Sequence, residues 1–256
     1  MALQSIANIY TVARLTYSLP KGLRVLMYHS VGSLVRGDKI GIHSISLERF
    51  QDHIDILSYT KIVPLLPIVI PEGQLNIAIT FDDGYADNLY VVAPILEKKG
   101  IPFTVFVTTE YIRRHEPGFM SPEELKILSK VQGVTIGAHT VSHCDLTRCS
   151  DQDLKIELSD SKHYLEDLLG LSVTSMAYPY GLTDRRVRDA TSAAAYKVAV
   201  CSRFDINQTD RDHFMLNRNI ITSEDTPRVF IQKIKGAWDW YRWRYPDPLT
   251  KTSVPM

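Results

Sequence analysis

The chain has 256 residues, a length that fits one large α/β domain or two small ones. Its 29 lysines and arginines balance its 29 aspartates and glutamates, so no global field would draw it to nucleic acid or to an anionic membrane. Three cysteines cannot form a disulfide framework and are typical of reduced thiols.

Residues 1–20 predict an amphipathic helix that packs on the domain, with contact to a membrane surface as the alternative. They lack an early basic cluster and an A-x-A-like cleavage site, so a signal peptide is not expected. No later stretch approaches the roughly twenty uninterrupted apolar residues that a membrane span needs. We therefore predict a cytoplasmic protein, with peripheral membrane contact as the alternative.

Short segments rich in β-branched and aromatic residues predict seven strands, with helical patterns between them. This alternation favours a mainly parallel sheet covered by helices, which could close as a barrel. Helices are predicted to begin at Ser121, where Glu124 completes a capping box, and at Thr226; Gly100 and Gly170 stand where helices should end. The predicted strands are residues 23–29, 75–82, 103–108, 133–139, 173–179, 197–202 and 214–221.

Polar side chains follow four of these strands at the point where each strand ends. His29, Asp82 with Asp83, His139 and Tyr180 occupy these positions. In parallel α/β folds, ligands gather at the carboxyl ends of the strands. We therefore expect these residues to meet at one rim.

The segment "HTVSH" places His139 and His143 four residues apart, on one side of either a helix or a strand, so both rings could bind one metal. Thr140 rules out the H-E-x-x-H pattern, so a third ligand and a base must come from elsewhere. In "TFDDG", one of the two carboxylates of Asp82 and Asp83 could be the third metal ligand and the other the base. Two imidazoles and a carboxylate are typical of a hydrolytic metal site. The alternatives are unrelated histidines in a polar turn and solvated turn acids.

The motifs "TFDDG", "HTVSH" and "AYPYG", in this order, resemble those of the NodB-homology polysaccharide deacetylases, carbohydrate esterase family four. The resemblance covers residues 23–221 and includes the "LMYHSVG" opening of one branch. It implies a distorted (β/α) barrel of about seven strands and one divalent metal ion. Zinc is the expected metal, and cobalt and nickel are the alternatives. We predict a single domain over residues 1–256, with the N-terminal helix 1–20 and an aromatic C-terminal helix and tail, 226–256, as extensions.

The resemblance also implies roles for the residues at the rim. Asp83, His139 and His143 would be the metal ligands, and Asp82 would be the general base. The backbone N–H of Tyr180 would complete an oxyanion hole with the metal.

Two positions depart from the family pattern. Many relatives carry an arginine that orients the base where this chain has Ala177, and Arg218 on the last strand is the expected substitute; a surface or core-edge arginine is the alternative. Many relatives also use a late Leu-x-His as the acid, but no histidine lies beyond His213. One branch uses the histidine of its first strand, which makes His29 the expected acid and a packed, hydrogen-bonded histidine the alternative.

The sequence leaves two other features without a clear role. The segment "AWDWYRWRY", residues 237–245, could clamp sugar rings, contact a membrane-bound partner, form a subunit interface or pack on the barrel. The remaining histidines are predicted to be surface or loop residues: His43, His53, His115, His163 and His213.

The function expected from these residues is a metal-dependent hydrolase that removes the acetyl group from an N-acetylated sugar in glycan or cell-surface polysaccharide biosynthesis. Its partners would be the glycan substrate and, peripherally, a membrane or a glycan-assembly complex. The alternatives are hydrolysis of another non-peptide C–N bond, such as a formamide or cyclic amide, and a catalytically inactive glycan-binding relative.

Overall fold

The structure, a computed structural model, describes residues 4, 7, 8, 20–34, 37–244 and 247. The predicted N-terminal helix, apart from four residues, and the end of the aromatic C-terminal tail lie outside the described residues. None of the helices in the described part of the chain has the length and apolar character that crossing a bilayer requires.

Seven parallel strands form a nearly closed barrel. They are β1 (Gly22–Tyr28), β5 (Leu75–Phe81), β6 (Phe103–Val107), β7 (Val134–Ala138), β8 (Ser175–Ala177), β9 (Val198–Val200) and β10 (Arg218–Ile220), and the additional short strands are β2 (Ser30–Val31), β3 (Ser44–Ile45) and β4 (Lys61–Ile62). The order around the barrel is β10-β1-β5-β6-β7-β8-β9. Val200 at the end of β9 bridges to Leu216, two residues before β10, which brings the two edges of the sheet together. All seven predicted strands and the α/β barrel are thus confirmed.

Several helices begin or end at capping residues. Ser121 and Glu124 exchange the two hydrogen bonds of the predicted capping box, and Thr226 caps the last helix. Gly170 ends the longest helix in a left-handed conformation, φ 67°, which glycine adopts at little cost. The helices are α1 (Leu47–Leu57), α2 (Ala93–Lys98), α3 (Thr109–Arg113), α4 (Pro122–Leu128), α5 (Asp151–Leu169), α6 (Arg185–Ala193) and α7 (Pro227–Ile234). Short helical segments are Asn88–Val92, Leu146–Arg148, Pro179–Gly181 and Asp239–Arg244.

Side chains alternate between two apolar layers, as the period of a strand requires. Leu26 and Tyr28 of β1 belong to the large cluster between the sheet and the helices. Leu23 and Val25 belong to a smaller cluster that includes Phe106 of β6 and fills the barrel. Residues in phase with the smaller cluster therefore face the barrel interior, and this phase positions the site.

His53 on α1 corrects a sequence-based expectation, because it is fully buried and not a surface residue. Its ring stacks on Phe230 at 4.0 Å between centroids, and its Nε2 lies 3.0 Å from the carbonyl oxygen of Asp225. An amphipathic helix can bury a polar residue on its apolar face when another element supplies the partner, and α7 with its preceding turn does so here.

Replacing His53 with Gln should flatten the pH dependence of folding. Burial lowers the pKa of His53 to about 4, below the ordinary 6.5. Between pH 6.5 and pH 4 His53 is therefore protonated in the unfolded chain but neutral in the folded protein. The folded state therefore loses stability as pH falls, by about 2 kcal/mol at pH 5. Urea unfolding at pH 7.5 and pH 5 should show a loss that is about 2 kcal/mol smaller in His53→Gln than in the parent and in the surface control His163→Gln, because the other buried histidines still contribute in all three proteins. An equal loss in all three would contradict the prediction.

Candidate active site

The rim at the carboxyl ends of the strands encloses a cavity of about 1420 Å³. Six of the seven residues singled out by the sequence line it, and Arg218 lies fully buried behind them. The six are His29, Asp82, Asp83, His139, His143 and Tyr180.

Strand periodicity explains why three of these groups point the same way. His29 is in phase with Val25 of β1, and Asp82 is in phase with Ala78 of β5, both of which belong to the cluster inside the barrel. His139 follows β7 and hydrogen-bonds the carbonyl of Ala177, another member of that cluster. The parallel order places the three strand ends at the same rim, β1 beside β5 and only β6 between β5 and β7, so the side chains converge.

Asp83, His139 and His143 form a compact group with the donor set of a metal site. The Asp83 Oδ1 lies 3.6 Å from the His139 Nε2 and 3.4 Å from the His143 Nε2. One ligand atom from each residue lies within 4.8 Å of the others. The Asp83 Oδ1 is buried and has no hydrogen-bond partner among the described residues. A buried carboxylate oxygen beside two ring nitrogens fits a shared cation.

The hydrogen bond of His139 selects the ring nitrogen that faces this group. Its Nδ1 lies 2.8 Å from the carbonyl oxygen of Ala177, which can only accept, so Nδ1 carries the proton. The Nε2 lone pair is then left for a cation. Burial lowers the pKa of His139 to about 3, although Asp82 opposes this shift, and so the ring is neutral as a ligand must be.

The charge of Asp83 also favours a cation at this place. Burial, and then the neighbouring Asp82, raise its pKa to about 7, so the charged form is poorly stabilised by the protein alone. A divalent cation bound beside Asp83 would stabilise the charged carboxylate and lower its pKa. The residues present therefore fit one divalent metal ion.

Left-handed backbone conformations concentrate at this rim. Asp83, Thr140, His143 and Tyr180 have φ values of 75°, 65°, 61° and 59°. Such values are uncommon for residues with a Cβ and persist where the surroundings enforce them. They turn the chain sharply after each strand, which brings ligand and wall residues back over the barrel.

Asp82 forms a buried, bidentate ion pair with Arg218. The two guanidinium nitrogens lie 2.6 and 2.8 Å from the two carboxylate oxygens, and Arg218 also donates to the carbonyl oxygen of Cys201 at 3.0 Å. Burial alone would raise the pKa of Asp82, but Arg218 and then His139 outweigh it and lower the pKa to about 2. The alternative of a surface arginine is wrong, since Arg218 has no exposed area.

His29 lines the cavity beside His43, with their rings 4.6 Å apart. The His29 Nδ1 is buried and has no hydrogen-bond partner among the described residues. Burial lowers the pKa of His29 to about 4, while Asp82 acts in the opposite direction. His43 was expected in a surface or loop position; it does lie in a loop, but half-buried in the wall of the cavity.

Glu157 on α5 holds the loop between the two candidate histidine ligands, and sequence reasoning missed it. Its Oε2 accepts hydrogen bonds from the backbone N–H groups of Val141 and Ser142 at 2.8 and 3.0 Å, and its Oε1 accepts from the Ser142 hydroxyl at 2.6 Å. Glu157 lies fourteen residues after His143 on a helix rich in charged residues, so nothing local marks it.

Replacing Glu157 with Ala should weaken metal binding by roughly ten- to a hundred-fold, since groups that orient metal ligands have effects of this size. The hydrogen bonds of Glu157 go to Val141 and Ser142 in the loop, so the loss would arise from a loosened loop. Titration calorimetry with Zn²⁺ or Co²⁺ measures the dissociation constant directly. Asp160→Ala, on the exposed face of the same helix, is the control. Equal affinities in parent and variant would mean that the loop keeps its shape without Glu157.

Comparison with known proteins points to one family. A sequence profile described as "Polysaccharide deacetylase" matches residues 71–199, just over half of the chain. YxkH of Bacillus subtilis, named "Putative polysaccharide deacetylase", is 26% identical over 205 residues, which cover 78% of this chain and 71% of YxkH. The peptidoglycan-N-acetylglucosamine deacetylase PgdA of Listeria monocytogenes is 28% identical over 123 residues, 47% of this chain but only 25% of PgdA.

A solved structure has the same fold. The Streptococcus pyogenes deacetylase PplD, in complex with acetate, superposes with a TM-score of 0.73 at 23% identity. The match covers 84% of this chain and 99% of PplD. The nearly closed barrel is therefore common to the two proteins.

Proposed function

The chain belongs to the polysaccharide deacetylase family, and we propose that it removes the acetyl group from an N-acetylated sugar in glycan or cell-surface polysaccharide synthesis. One observation carries the proposal: the Asp83, His139 and His143 cluster lies directly beside the ion pair of Asp82 and Arg218. A metal-ligand set next to a fixed carboxylate is the arrangement that hydrolysis of an amide requires.

Asp83, His139 and His143 would hold one divalent cation, with zinc as the proposed metal because it accepts two imidazoles and a carboxylate. When bound there, the cation would polarise the acetyl carbonyl and lower the pKa of water. The Asp82 Oδ2 lies 4.0 Å from the His139 Nε2, close enough for Asp82 to accept a proton from a water molecule at the candidate metal site.

Asp82 would take the proton from the attacking water. Its low pKa keeps it charged at neutral pH, and a weak base suffices where the water is already acidified. Arg218 holds both carboxylate oxygens, so it fixes the direction in which Asp82 accepts.

The backbone N–H of Tyr180 would donate to the tetrahedral oxyanion from the end of β8. His29 would then deliver a proton to the sugar nitrogen, because an amide anion is too poor a leaving group. Negative charge that develops in the cavity during the reaction would stabilise the protonated form of the His29 ring. Asp82 already acts in this direction, since it raises the pKa of His29. Acetate and a free amine are the products.

Acetate release from a panel of N-acetylated sugars and oligosaccharides tests the proposal. Activity should require Zn²⁺, Co²⁺ or Ni²⁺, disappear with a chelator and return when metal is restored. A protein that binds metal but releases formate or opens a cyclic amide instead would favour another C–N hydrolase. Metal and glycan binding without any hydrolysis would favour an inactive glycan-binding protein.

A further inference from the structure

Two thiols meet in the loop that follows the candidate metal ligand His143. The Sγ atoms of Cys144 and Cys149 lie 3.4 Å apart, in van der Waals contact, and both residues are free cysteines. Neither has a part in the reaction proposed above. Both side chains are half-buried, and Cys149 stands between the exposed residues Arg148 and Ser150. A small oxidant can therefore reach the pair from solvent.

The short turn between the two cysteines is fixed by contacts of its own. The Asp145 Oδ1 accepts a hydrogen bond from the backbone N–H of Thr147 at 3.0 Å. Leu146 is fully buried. Arg186 of α6 donates from its Nη2 to the carbonyl oxygens of Leu146 and Thr147, both at 3.2 Å. The turn thus holds the two sulfur atoms close together without a bond between them.

A disulfide between these cysteines would need a small movement of the loop. Bonded sulfur atoms are about 2.05 Å apart, so the two Sγ atoms would have to approach by about 1.4 Å. Cys149 leads directly into α5, whose N-cap is Ser150, and Arg186 holds the turn before it. Cys144 is therefore the end of the pair that can move.

A movement of Cys144 reaches His143 through a single peptide group. His143 has a left-handed backbone conformation, φ 61°, and its N–H donates to the Thr140 Oγ1 at 3.1 Å. Its Nε2 lies 3.4 Å from the Asp83 Oδ1. Metal ligands tolerate errors of only about 0.2 Å in their distances to the ion. A fraction of the movement at Cys144 would therefore be enough to weaken a metal site that uses His143.

We propose that Cys144 and Cys149 form a redox-sensitive pair, which a low-molecular-weight disulfide converts into an intramolecular disulfide, and that this bond weakens cation binding at the candidate metal site. The proposal rests on the metal site of the proposed function. The sequence-based expectation of reduced thiols describes the protein before it meets the oxidant.

The reaction is a thiol–disulfide exchange in two steps. One cysteine of the pair attacks the sulfur–sulfur bond of an oxidant such as glutathione disulfide, which forms a mixed disulfide and releases one glutathione thiol. The other cysteine attacks the protein sulfur of the mixed disulfide and releases the second glutathione thiol. Two electrons pass from the cysteine pair to the oxidant, and the two thiol protons end on the released glutathione.

Thiol counts and intact mass measure the modification itself. After treatment with glutathione disulfide and gel filtration, the denatured protein should have lost two of its three thiols. Its mass should fall by the two hydrogen atoms lost, and dithiothreitol should reverse both changes. Burial raises the pKa of the Cys144 thiol to about 12, so the treatment is run at pH 8.5, where more of this thiol is ionised than at neutral pH.

Titration calorimetry with Zn²⁺ measures the effect on the metal site. The oxidised protein should bind Zn²⁺ roughly ten- to a hundred-fold more weakly than the reduced protein, the size of effect that follows when the support of a metal ligand is disturbed. Glutathione and dithiothreitol are removed beforehand, because thiols bind Zn²⁺ themselves. Thermal melting of both forms shows whether the oxidised protein is still folded.

Two variants are matched controls. The double variant Cys144→Ser with Cys149→Ser cannot form the bond, so its Zn²⁺ affinity should equal that of the reduced parent before and after treatment. This result would also show that the two thiols do not capture the zinc. Cys201→Ala removes the third, buried cysteine and keeps the pair, so it should respond to the oxidant as the parent does.

Loss of two thiols together with weaker Zn²⁺ binding that dithiothreitol restores would support the proposal. Unchanged thiols, or a mixed disulfide that keeps its glutathione, would overturn it. A disulfide that leaves the Zn²⁺ affinity unchanged would overturn the link to the metal site. If the reduced parent binds no Zn²⁺, the metal site of the proposed function fails, whereas the thiol count still decides whether the pair is redox-sensitive.

Discussion

Replacing Asp82 with Asn should reduce acetate release by roughly 10²- to 10⁴-fold, the usual contribution of a general base. An amide cannot accept a proton from water, although its oxygen can still accept a hydrogen bond from Arg218. Metal binding should persist, since the cluster that could hold a cation is Asp83, His139 and His143. Initial rates with metal-loaded protein, beside the dissociation constant for Zn²⁺, measure the two effects separately.

The Asp82→Asn variant needs two comparisons. Thermal melting must show that it is folded, because the substitution leaves the buried Arg218 without a counter-charge. Asp160→Asn, an exposed aspartate on α5, is the control for loss of a carboxylate elsewhere. Activity within ten-fold of the parent would place the base on another residue.

Replacing Arg218 with Met should lower the free energy of unfolding by about 3 to 5 kcal/mol, the typical cost of leaving one partner of a buried ion pair uncompensated. Both side chains are almost fully buried, at 0% and 3% exposed, so water cannot replace the lost contacts. The pKa of Asp82 should rise as well, because Arg218 is the main group that lowers it. Urea unfolding at neutral pH measures the loss.

A double-mutant cycle measures the interaction energy between Asp82 and Arg218 separately from their contacts with the rest of the barrel. Asp82→Asn combined with Arg218→Met should be less destabilising than the sum of the two single changes, because no buried charge is left unpaired. The exposed pair of Lys99 and Asp55 offers a control, and Lys99→Met should cost less than about 1 kcal/mol. A cost below 1 kcal/mol for Arg218→Met would mean that Asp82 finds another partner.

Arg218→Lys tests whether geometry or charge matters at this position. Lysine keeps the positive charge but cannot bind both carboxylate oxygens in a fixed plane. The variant should recover part of the lost stability and less of the lost activity. Full recovery of activity would show that the bidentate contact does not orient Asp82.

Much of the fold follows from short-range patterns in the sequence. The capping box at Ser121 and the glycine at the end of α5 depend on neighbours within a few residues, so local chemistry decides them. The seven strands were predicted for the same reason, but several are shorter than expected. Residues 214–217, for example, belong to the connection before β10, where Leu216 pairs with β9.

For the site, the sequence by itself determined that polar residues follow the carboxyl ends of several parallel strands. The two-residue period of a strand also determined that His29 and Asp82 point toward the inside of the barrel. Only the tertiary structure decided which groups touch. Arg218 reaches Asp82 across 136 residues, and Glu157 reaches the loop before His143 from a neighbouring helix. Local propensity encodes the elements, whereas contacts between distant residues depend on strand order and packing. The same reason explains why the burial of His53, and the place of Trp238 of the aromatic segment 237–245 in the cavity wall, could not be derived from the sequence.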